Sequence, residues 1–492
     1  MDESTQLSGI TLGFGEQILW LTGRIEHPFD VPPDRMPPVS YWIGRLWALF
    51  FGFNEEALRS LGITMAICAA PALFLSGRLA SGLWGGVFAV AFLFTSSSFV
   101  IQMVEIRAYP LLFCLAAWAT YILMRLVTDP TEQTEKRNFL VLTGLLILMS
   151  YTHFYGIVMS GFVFFALLMQ RIVARKSLTF LLTCAGAGLV ALAGVLPFVL
   201  QAVDMTAPAA AQAKGLGQVL PDAARLVFRL VASPVLLATP AALVAALTGV
   251  SVLALCGIIV LVKRENVETC KSLSVILLVL VTGLVGLTLI RSQVASFEIL
   301  APHYNLWMLP LVGVALSCGF ALTSPIPRGA VRAAAVALIA AQLVGMNTLM
   351  AHKTLYSHGY GEALAARITD PERTLVIYDA TGLWGAGYFP LAYLTKSALT
   401  QWLAHPDGHM QQITKSGLVD LDTPDVLEAE FETVIRVYAK AMTSRQLTEV
   451  ARDPAKCRLP SSDVLSQASS AEIITFCAYQ AASYIITHRP EQ

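Results

Sequence analysis

The sequence predicts an α-helical polytopic membrane protein with about ten transmembrane helices, followed by a small mixed α/β domain. Three observations favour this fold class. Hydrophobic residues make up 56% of the 492 residues and charged residues only 13%, whereas an average soluble protein carries about 25% charged residues. Several apolar runs have the roughly 20 residues that a helix needs to cross a bilayer core of about 30 Å. The C-terminal region is more polar and contains a short β-branched run.

Ten apolar runs account for the predicted helices. The boundary between the fourth and the fifth is the weakest, because only Tyr151 to His153 interrupt them. A single long helix there would reverse the orientation of every later span. The runs lie near residues 62–80, 83–101, 109–127, 139–152, 154–171, 178–200, 236–262, 273–290, 304–323 and 331–350.

The positive charges of the short loops predict the orientation, because cytoplasmic loops keep an excess of Lys and Arg. One set of alternate loops holds Arg78; Arg125, Lys136 and Arg137; Arg171, Arg175 and Lys176; Lys263, Arg264 and Lys271; and Arg328 with Arg332. The other set holds Arg107; Lys214, Arg225 and Arg229 along one long loop; and Arg291. The first set is therefore predicted to be cytoplasmic, and the alternation holds only if residues 139–171 form two helices.

This orientation divides the chain into three parts. Residues 1–61 are an outer loop that ends in an amphipathic, aromatic stretch, Tyr41 to Phe53, which is typical of an interfacial helix. Residues 62–350 form the transmembrane domain, and residues 351–492 form an extracytoplasmic domain. An outer N-terminus with no span before it predicts one more transmembrane helix upstream, unless the first helices translocate the short N-terminal segment.

The C-terminal domain is predicted to be a small α/β or α+β unit. Thr374 to Tyr378 is predicted to be a buried strand, whereas Val426 to Ala439 and Ala468 to Ile486 are expected to be helical or mixed. If the domain faces an oxidising compartment, Cys457 and Cys477 could form a disulfide.

Charge and motif content argue against two kinds of partner. The formal net charge is zero and no block of like charges occurs, so the sequence predicts no nucleic-acid partner. The sequence contains neither a C-x-x-C nor an H-E-x-x-H motif, which makes a preformed zinc site unexpected.

Polar residues gather at the outer ends of the predicted helices. An ionisable side chain in or near the bilayer indicates a function by default, because its desolvation must be compensated. Single members also fit structural roles, such as an ion pair between Glu105 and Arg107 or a lipid-phosphate contact for Arg59. The set comprises Asp2 and Glu3; Asp30, Asp34 and Arg35; Glu105, Arg107 and Tyr109; Tyr151, His153 and Tyr155; and His303 with Tyr304.

Taken together, six short segments resemble the GT-C superfamily of polytopic glycosyltransferases. The resemblance is in particular to the protein O-mannosyltransferase group (family 39) and its relatives that modify lipid A and lipopolysaccharide cores. Over roughly residues 1–325 the segments follow that group's D-E, D-x-H-P-P-x-x-Y, F-G-x-S-E-x-x-x-R, E-x-R-x-Y and Y-T-H-Y patterns. They are D-E at 2–3, D-R-M-P-P-V-S-Y-W at 34–42, F-G-F-N-E-E-A-L-R at 51–59, E-I-R-A-Y at 105–109, Y-T-H-F-Y at 151–155 and P-H-Y-N-L at 302–306.

The resemblance implies an inverting glycosyltransferase of a bacterial-type inner membrane. Such an enzyme moves a sugar from a polyprenyl-phosphate donor, held among membrane lipids, to a lipid, glycan or protein acceptor at the outer face. Asp2 is the implied general base, and Glu105 would orient the acceptor or share a divalent cation, Mg or Mn, with Asp2. The implied substrate-binding residues are Glu3, Asp34, Tyr41, Arg59, Arg107, Tyr109, His153, His303 and Tyr304, among which Arg107 and His153 are expected to contact the phosphate.

Two departures from the family pattern leave alternatives open. Met36 stands where many relatives have His, which puts a metal role at that position in doubt and keeps a catalytically inactive, carrier-binding scaffold as one alternative. Asp2 follows Met1 directly, whereas family members place the acidic pair after a first transmembrane helix, which again predicts an upstream helix. A polytopic transporter or flippase is the other alternative, but it predicts charges near the midplane and broken helices in repeated halves.

Overall fold

The computed structural model describes most of the helical part of the chain and much of a C-terminal sheet. The described residues are 2–28, 31, 33–34, 36–53, 55–128, 131–206, 215–232, 239–264, 266–293, 299–322, 324–351, 368–379, 399–405, 409–414, 417–422, 428, 430–441, 472–477 and 480–488. The chain divides into two compact units, one of residues 35–47 and 58–349 and the other of residues 1–34, 48–57 and 350–492.

The first of these units is helical throughout its described part, as expected for a chain whose backbone groups must be satisfied without water. The α-helices of the described residues, in both units, are α1 (Asp2–Thr11), α2 (Phe14–Leu21), α3 (Val39–Phe51), α4 (Glu55–Ser81), α5 (Leu83–Phe94), α6 (Ser97–Val104), α7 (Tyr109–Thr128), α8 (Glu132–Thr152), α9 (Phe154–Val173), α10 (Thr179–Ala193), α11 (Leu196–Thr206), α12 (Leu216–Val231), α13 (Pro240–Lys263), α14 (Val267–Gln293), α15 (Met308–Ser317) and α16 (Pro325–Ala351), with a 3₁₀ turn at Cys318–Ala321.

Six helices in the described part of the chain are long and apolar enough to span a membrane, namely α4, α7, α9, α13, α14 and α16. A seventh span forms if α10 and α11, which are bent by 55°, are taken as one. The apolar helices α5 and α15 are shorter, and α8 begins with charged residues. These elements together occupy the ten predicted apolar runs. The predicted fold class is confirmed, and the chain is a multi-pass membrane protein.

The predicted break between the fourth and fifth runs is present. α8 ends at Thr152 and α9 begins at Phe154, while His153 between them has an extended backbone. α9 then folds back along α8, since the Ser160 hydroxyl donates to the carbonyl of Leu146 at 3.3 Å. Gly156 permits this close approach, because a Cβ there would collide with the carbonyl of Met149. Two helices, as the alternation of charge requires, are therefore confirmed.

Helix α7 is the most enclosed of the spanning helices, with 72% of its apolar window buried. It contacts α8, α14 and α15. Its first residue, Tyr109, has no exposed surface, and neither has Phe113 one turn later. The bundle thus surrounds the start of α7, which is where the E-I-R-A-Y segment ends.

The opposite end of α8 and α9 carries a buried charge. Arg171 forms an ion pair with Glu135, and its guanidinium lies 4.8 Å from the centre of the Phe139 ring. Lys176 lies 3.9 Å from the same carboxylate. At about 1.5 Å of rise per residue, this end of α8 is roughly 30 Å from His153. Arg171 and Lys176 belong to the loops that the sequence predicts to be cytoplasmic.

Helix α3 confirms that the predicted stretch from Tyr41 to Phe53 is helical as far as Phe51. Large apolar side chains on it are exposed, with Phe50 at 76% and Phe51 at 58%. An exposed apolar face is typical of a helix that lies in the membrane interface. Its interfacial position stays a prediction.

The N-terminal segment contains two helices that the sequence did not predict, α1 and α2. The side-chain amide of Gln17 donates to the carbonyls of Gly9 and Leu12 at 3.0 and 3.2 Å. The indole N–H of Trp20 donates to the carbonyl of Val31 at 3.0 Å. The Gln17 contacts fix α2 against α1, and the Trp20 contact fixes α2 against the segment that follows it.

The C-terminal unit is built on a mixed sheet with strand order β4-β3-β2-β1-β5-β7-β6 among the described residues. The strands are β1 (Thr374–Asp379), β2 (Thr400–Ala404), β3 (Met410–Thr414), β4 (Gly417–Asp420), β5 (Thr433–Ala441), β6 (Glu472–Cys477) and β7 (Gln480–His488). β1 is central and parallel to β2 and β5, and the other pairs are antiparallel. Its side chains Leu375 and Ile377 pack with Trp402 and Val434, so the predicted buried strand is confirmed.

The regions Val426 to Ala439 and Ala468 to Ile486 were expected to be helical or mixed, and the helical expectation was wrong. These regions hold β5, β6 and β7 instead. β5 pairs along its length with β1 on one side and β7 on the other, so partners distant in sequence satisfy its backbone and override local helical spacing. Cys457 lies outside the described residues, and its disulfide with Cys477 stays a prediction.

Candidate functional site

Three of the six motif segments meet at one place in the helical unit. The rings of Tyr109, His153, Tyr155, His303 and Tyr304 form what we term the aromatic–histidine cluster. The Tyr109 centroid lies 5.6 Å from that of His153, 5.7 Å from that of His303 and 6.1 Å from that of Tyr304. The His303 and Tyr304 rings lie 4.2 Å apart, and Tyr155 stacks on Tyr304 at 5.3 Å with an interplanar angle of 11°. Residues about 200 positions apart in the sequence therefore lie together in one cluster.

Each ring is held at the end of a packed helix. Tyr109 opens α7, His153 precedes the first residue of α9, and His303 and Tyr304 lie in the turns that lead to α15. Because α8 and α9 are separated at His153, its side chain does not follow a continuous helix and lies next to Tyr109 and Tyr304. The helix ends thus act as a rigid frame for the cluster.

The turn that carries His303 and Tyr304 is held by side-chain hydrogen bonds. The Asn305 amide donates to the carbonyls of Ile299 and Ala301, both at 2.9 Å. The Tyr155 hydroxyl also donates to the carbonyl of Ile299 at 2.9 Å. Because Tyr155 belongs to α9, its hydroxyl ties this turn to the end of that helix.

Glu105 and Arg107 lie next to the cluster, between α6 and α7. The Gln102 amide donates to the Glu105 carboxylate at 3.1 Å, which orients one of its oxygens. The Arg107 guanidinium lies 4.7 Å from the centre of the Tyr109 ring. This places a cation at the cluster, within reach of a phosphate that binds against the rings.

The segment before Glu105 is fixed against α4. The Arg59 guanidinium donates to the carbonyl of Val104 at 2.5 Å. Gly62, one turn further along α4, lies so close to the segment that a Cβ would collide with the carbonyl of Met103. The position of the Glu105 backbone therefore depends on contacts made by α4.

His153 is buried and neutral. Burial, with smaller contributions from the nearby charges of Arg107 and His303, lowers the pKa of His153 from 6.5 to about 3. Its Nδ1 accepts a hydrogen bond from the backbone N–H of Tyr155 at 3.2 Å, so the proton of the neutral ring is on Nε2. Among the described residues Nε2 has no hydrogen-bond partner. A buried N–H without a partner is costly, and an oxygen of a bound ligand would remove that cost.

The remaining predicted residues are placed unevenly. Tyr41 is fully buried at the start of α3, and Met36 is also buried, whereas Asp34 is half-buried. The backbone of Asp2 and Glu3 belongs to α1, but their side chains lie outside the described residues, as do Asp30 and Arg35. The roles of Asp2, Glu3 and Asp34 stay predictions.

No role was predicted for Tyr155, Gln102 or Asn305, yet each fixes part of this site. Tyr155 and Asn305 lie inside the quoted Y-T-H-F-Y and P-H-Y-N-L segments, so the motifs themselves were the signal. Gln102 lies three residues before Glu105, which is one helical turn, and only that spacing could have indicated it.

The described residues around Glu105 do not by themselves form a metal centre. Within the described part of the chain, no group of three His, Cys, Asp or Glu side chains is arranged to hold a metal ion. The Glu105 oxygen also faces the Gln102 N–H, which is a hydrogen-bond donor and not a ligand. The divalent cation predicted between Asp2 and Glu105 therefore stays a prediction.

Two solved structures have the same architecture over almost the whole chain. They are crystal structures of ArnT from Cupriavidus metallidurans, one in the apo state and one bound to undecaprenyl phosphate. The apo structure matches with a TM-score of 0.53 at 12% sequence identity, and the bound structure with 0.54 at 11%. Each match covers 98% of this chain and 93% of the ArnT chain. The chain shares the ArnT fold.

This match concerns the fold alone, and it agrees with the resemblance that the sequence motifs have to the GT-C superfamily. No protein-family model and no curated protein sequence matches the chain. At 11–12% identity the likeness to ArnT concerns the backbone, so the roles of individual side chains rest on the geometry described above.

Proposed function

We propose that this chain is a membrane glycosyltransferase that moves a sugar from a polyprenyl-phosphate carrier to an acceptor hydroxyl at the outer face of the membrane. The observation that carries the proposal is the meeting of three motif segments, distant in sequence, in the aromatic–histidine cluster. The ArnT fold adds support, because one ArnT structure with that fold is bound to undecaprenyl phosphate.

The chemistry of the cluster suits a glycosyl phosphate. Flat aromatic faces such as those of Tyr155 and Tyr304 bury the apolar face of a sugar ring, while a few convergent polar groups set its orientation. The Nε2–H of His153 and the guanidinium of Arg107 are donors of the kind that phosphate oxygens accept. Sugar and phosphate are the two parts of the proposed donor headgroup.

The proposed reaction is an inverting displacement at the anomeric carbon. The acceptor oxygen forms a bond to the anomeric carbon while the bond between that carbon and the phosphate oxygen breaks. The polyprenyl phosphate leaves with the electron pair of the broken bond. Asp2 takes the proton of the acceptor hydroxyl as general base, and Glu105 orients the acceptor. Arg107 and His153 stabilise the negative charge on the departing phosphate. No step is assigned to a metal ion.

Sugar transfer by the purified full-length chain in lipid vesicles tests the proposal. Polyprenyl-phosphate sugars should support transfer and nucleotide sugars should not. We expect Asp2→Asn and Glu105→Gln each to lower kcat by about 100-fold or more, as loss of a general base or an orienting carboxylate does. Glu268→Gln is the matched control, because Glu268 is an exposed acid at the start of α14, away from the cluster.

Transfer that survives both Asp2→Asn and Glu105→Gln would refute the assigned chemistry. Movement of the donor across the vesicle membrane without transfer would instead favour the transporter alternative. Repeating the assay with a chelator and with added Mg or Mn tests the divalent cation that the sequence predicts between Asp2 and Glu105.

The proposed outer location of the site has its own test. The positive charges of alternate loops support an extracytoplasmic location for residues 351–492. A periplasm-active phosphatase fused after residue 492 should then be active in cells, and a fluorescent protein that matures only in the cytoplasm should stay dark. The reverse result would put the C-terminal unit in the cytoplasm.

A further inference from the structure

A recess lies between the turn that joins α4 to α5 and the first turns of α16. Its walls include Ser81, Trp84, Phe320, Arg328 and Arg332, and its volume is about 220 Å³. A water molecule takes about 30 Å³ in the liquid, so the space is large enough for a phosphate group and the atoms next to it. The recess is distinct from the aromatic–histidine cluster.

Two arginines give the recess a positive charge. Arg328 and Arg332 are four residues apart on α16 and therefore lie on one face, where two like charges repel. Arg328 uses its Nε to donate to the carbonyl of Leu322 at 2.7 Å, which directs the guanidinium while leaving its terminal N–H groups available. The ion pairs among the described helices join other residues. An anion between the two guanidinium groups would remove the repulsion.

The surface next to the recess is apolar and continues away from it along both helices. Trp84 is 59% exposed and Val87, one turn later on α5, is 44% exposed. Val336, one turn after Arg332 on α16, is 68% exposed. A free phosphate ion would use none of this surface, whereas the acyl chains of a lipid would cover it.

Helices α5 and α16 also contact each other beyond the recess. The Thr95 hydroxyl, at the far end of α5, donates to the side-chain oxygen of Gln342 on α16 at 2.7 Å. This contact and the recess are therefore ten or so residues apart, or roughly 15 Å of helix. That length matches the acyl region of one membrane leaflet, which is about half of a 30 Å hydrocarbon core.

The recess lies at the end of the bundle that carries the larger share of loop Lys and Arg. The Thr269 hydroxyl donates to the carbonyl of Ala80 at 2.6 Å, which brings the loop holding Lys263 and Lys271 next to the turn after α4. The charge rule predicts this end to be cytoplasmic, where anionic lipids attract juxtamembrane cations.

We propose that this recess binds the phosphate headgroup of an anionic phospholipid, with Arg328 and Arg332 on the phosphate and the acyl chains along α5 and α16. The shared chemistry is that of a phosphate group, and the exposed apolar surface next to the recess selects a lipid over free phosphate. This site does not depend on the proposed glycosyltransferase function.

Native mass spectrometry of the purified full-length chain with added phosphatidylglycerol tests the proposal, with phosphatidylcholine as the zwitterionic comparison. The double variant R328Q/R332Q should bind phosphatidylglycerol about 30-fold more weakly, as expected for the loss of two cation contacts near the membrane surface. Binding of phosphatidylcholine should hardly change. The matched control is R137Q/R175Q, which removes two exposed cations from the same predicted side but outside the recess.

Further variants separate the possible sources of the phosphate. Val336→Asn should weaken phosphatidylglycerol binding without touching either arginine, and its exposed position keeps the bundle intact. An equal loss in R137Q/R175Q would show diffuse surface charge in place of a site, and unchanged binding in R328Q/R332Q would also overturn the proposal. Displacement of the lipid by millimolar inorganic phosphate would assign the recess to a free phosphate ion and refute the lipid.

Discussion

The Nδ1 atom of His153 accepts a hydrogen bond from the backbone N–H of Tyr155 at 3.2 Å. This contact gives His153 two roles that a substitution can separate. As the residue before α9 it caps the helix by satisfying one of the first backbone N–H groups. As a neutral ring whose Nδ1 is an acceptor, it presents an N–H at Nε2 inside the aromatic–histidine cluster.

His153→Asn should keep the first role and lose the second. Asparagine is among the best residues at a helix N-cap, so the thermal stability of the variant should stay close to that of the parent protein. Its shorter side chain cannot carry a donor to the Nε2 position. Sugar transfer should therefore fall by about 100-fold, as it does when one preorganised donor to a developing charge is removed.

His153→Ala supplies the comparison for capping. It should lose the same activity and, in addition, about 1 kcal/mol of stability because the N-cap is gone. An Asn variant that transfers sugar at the parent rate would show that His153 is only a cap. Unfolding in detergent and initial transfer rates, measured on the same preparations, distinguish the two roles.

Burial of His153 also makes stability depend on pH. Its pKa is about 3 in the folded chain and 6.5 otherwise, so between these pH values the unfolded chain binds a proton there that the folded chain does not. Stability from this group is therefore complete above pH 6.5 and falls as the pH drops towards 3, by about 2 kcal/mol between pH 7 and pH 5. The melting temperature of the parent protein should fall over this range.

His153→Asn should reduce that fall in melting temperature. It should not abolish it, because burial also lowers the pKa of His27, which lies close to the carbonyl of Ser8. His27→Gln tests the second contribution and the double variant tests their sum. Equal slopes of melting temperature against pH in the parent protein and in His153→Asn would contradict a buried, neutral His153.

The sequence predicted best those features that the membrane itself imposes. The length of the apolar runs located the spans, because a backbone in lipid must form its hydrogen bonds within its own helix. The alternation of charge between loops required the break at His153. The strands β5, β6 and β7 were missed because their partners, such as β1 for β5, lie far away in the chain. The local spacing of apolar residues does not indicate which distant strands will pair.

The candidate site shows the same division. Motif order indicated that Tyr109, His153 and Tyr304 belong together, but their contact depends on how α7, α9 and the turn before α15 pack. The residues that hold them, such as Asn305, act through backbone carbonyls that no sequence motif displays. The outer acid Asp2 has its side chain outside the described residues, so its part in the site is decided by the transfer assay.

Two glycines on different helices give matched predictions about packing. At Gly62 an added Cβ would collide with the carbonyl of Met103, whereas at Gly144 no atom lies within 4 Å of such a Cβ. Gly62→Ala should therefore destabilise the protein by about 1–3 kcal/mol through overpacking. Gly144→Ala should stabilise it by about 0.5–1 kcal/mol, because alanine loses less backbone freedom in a helix.

Gly62→Ala should also impair transfer, since Met103 lies two residues before Glu105 and the displaced backbone would move that carboxylate. The acceptor KM should rise in this variant and stay unchanged in Gly144→Ala. If both variants are as stable as the parent protein, α4 does not pack against the backbone at Met103 as closely as the structure indicates.

The carbonyl of Ile299 receives two side-chain donors, the Tyr155 hydroxyl and the Asn305 amide, each at 2.9 Å. Removing either donor leaves the other, so Tyr155→Phe should cost only about 1 kcal/mol. Asn305→Leu should cost about 2 kcal/mol, because Asn305 also donates to the carbonyl of Ala301. Removing both leaves the carbonyl of Ile299 with neither donor. The double variant should therefore lose more free energy of unfolding than the sum of the two single losses, by about 1 kcal/mol.

Chemical unfolding of the four proteins measures this coupling. Strict additivity would mean that the two donors act on separate groups, against the geometry seen here. Tyr155→Phe keeps the ring that stacks on Tyr304, so any change in its donor KM reports movement of the turn and not loss of an aromatic face. The double variant should show the larger rise in KM, because the turn that holds His303 and Tyr304 then loses both of its ties to Ile299.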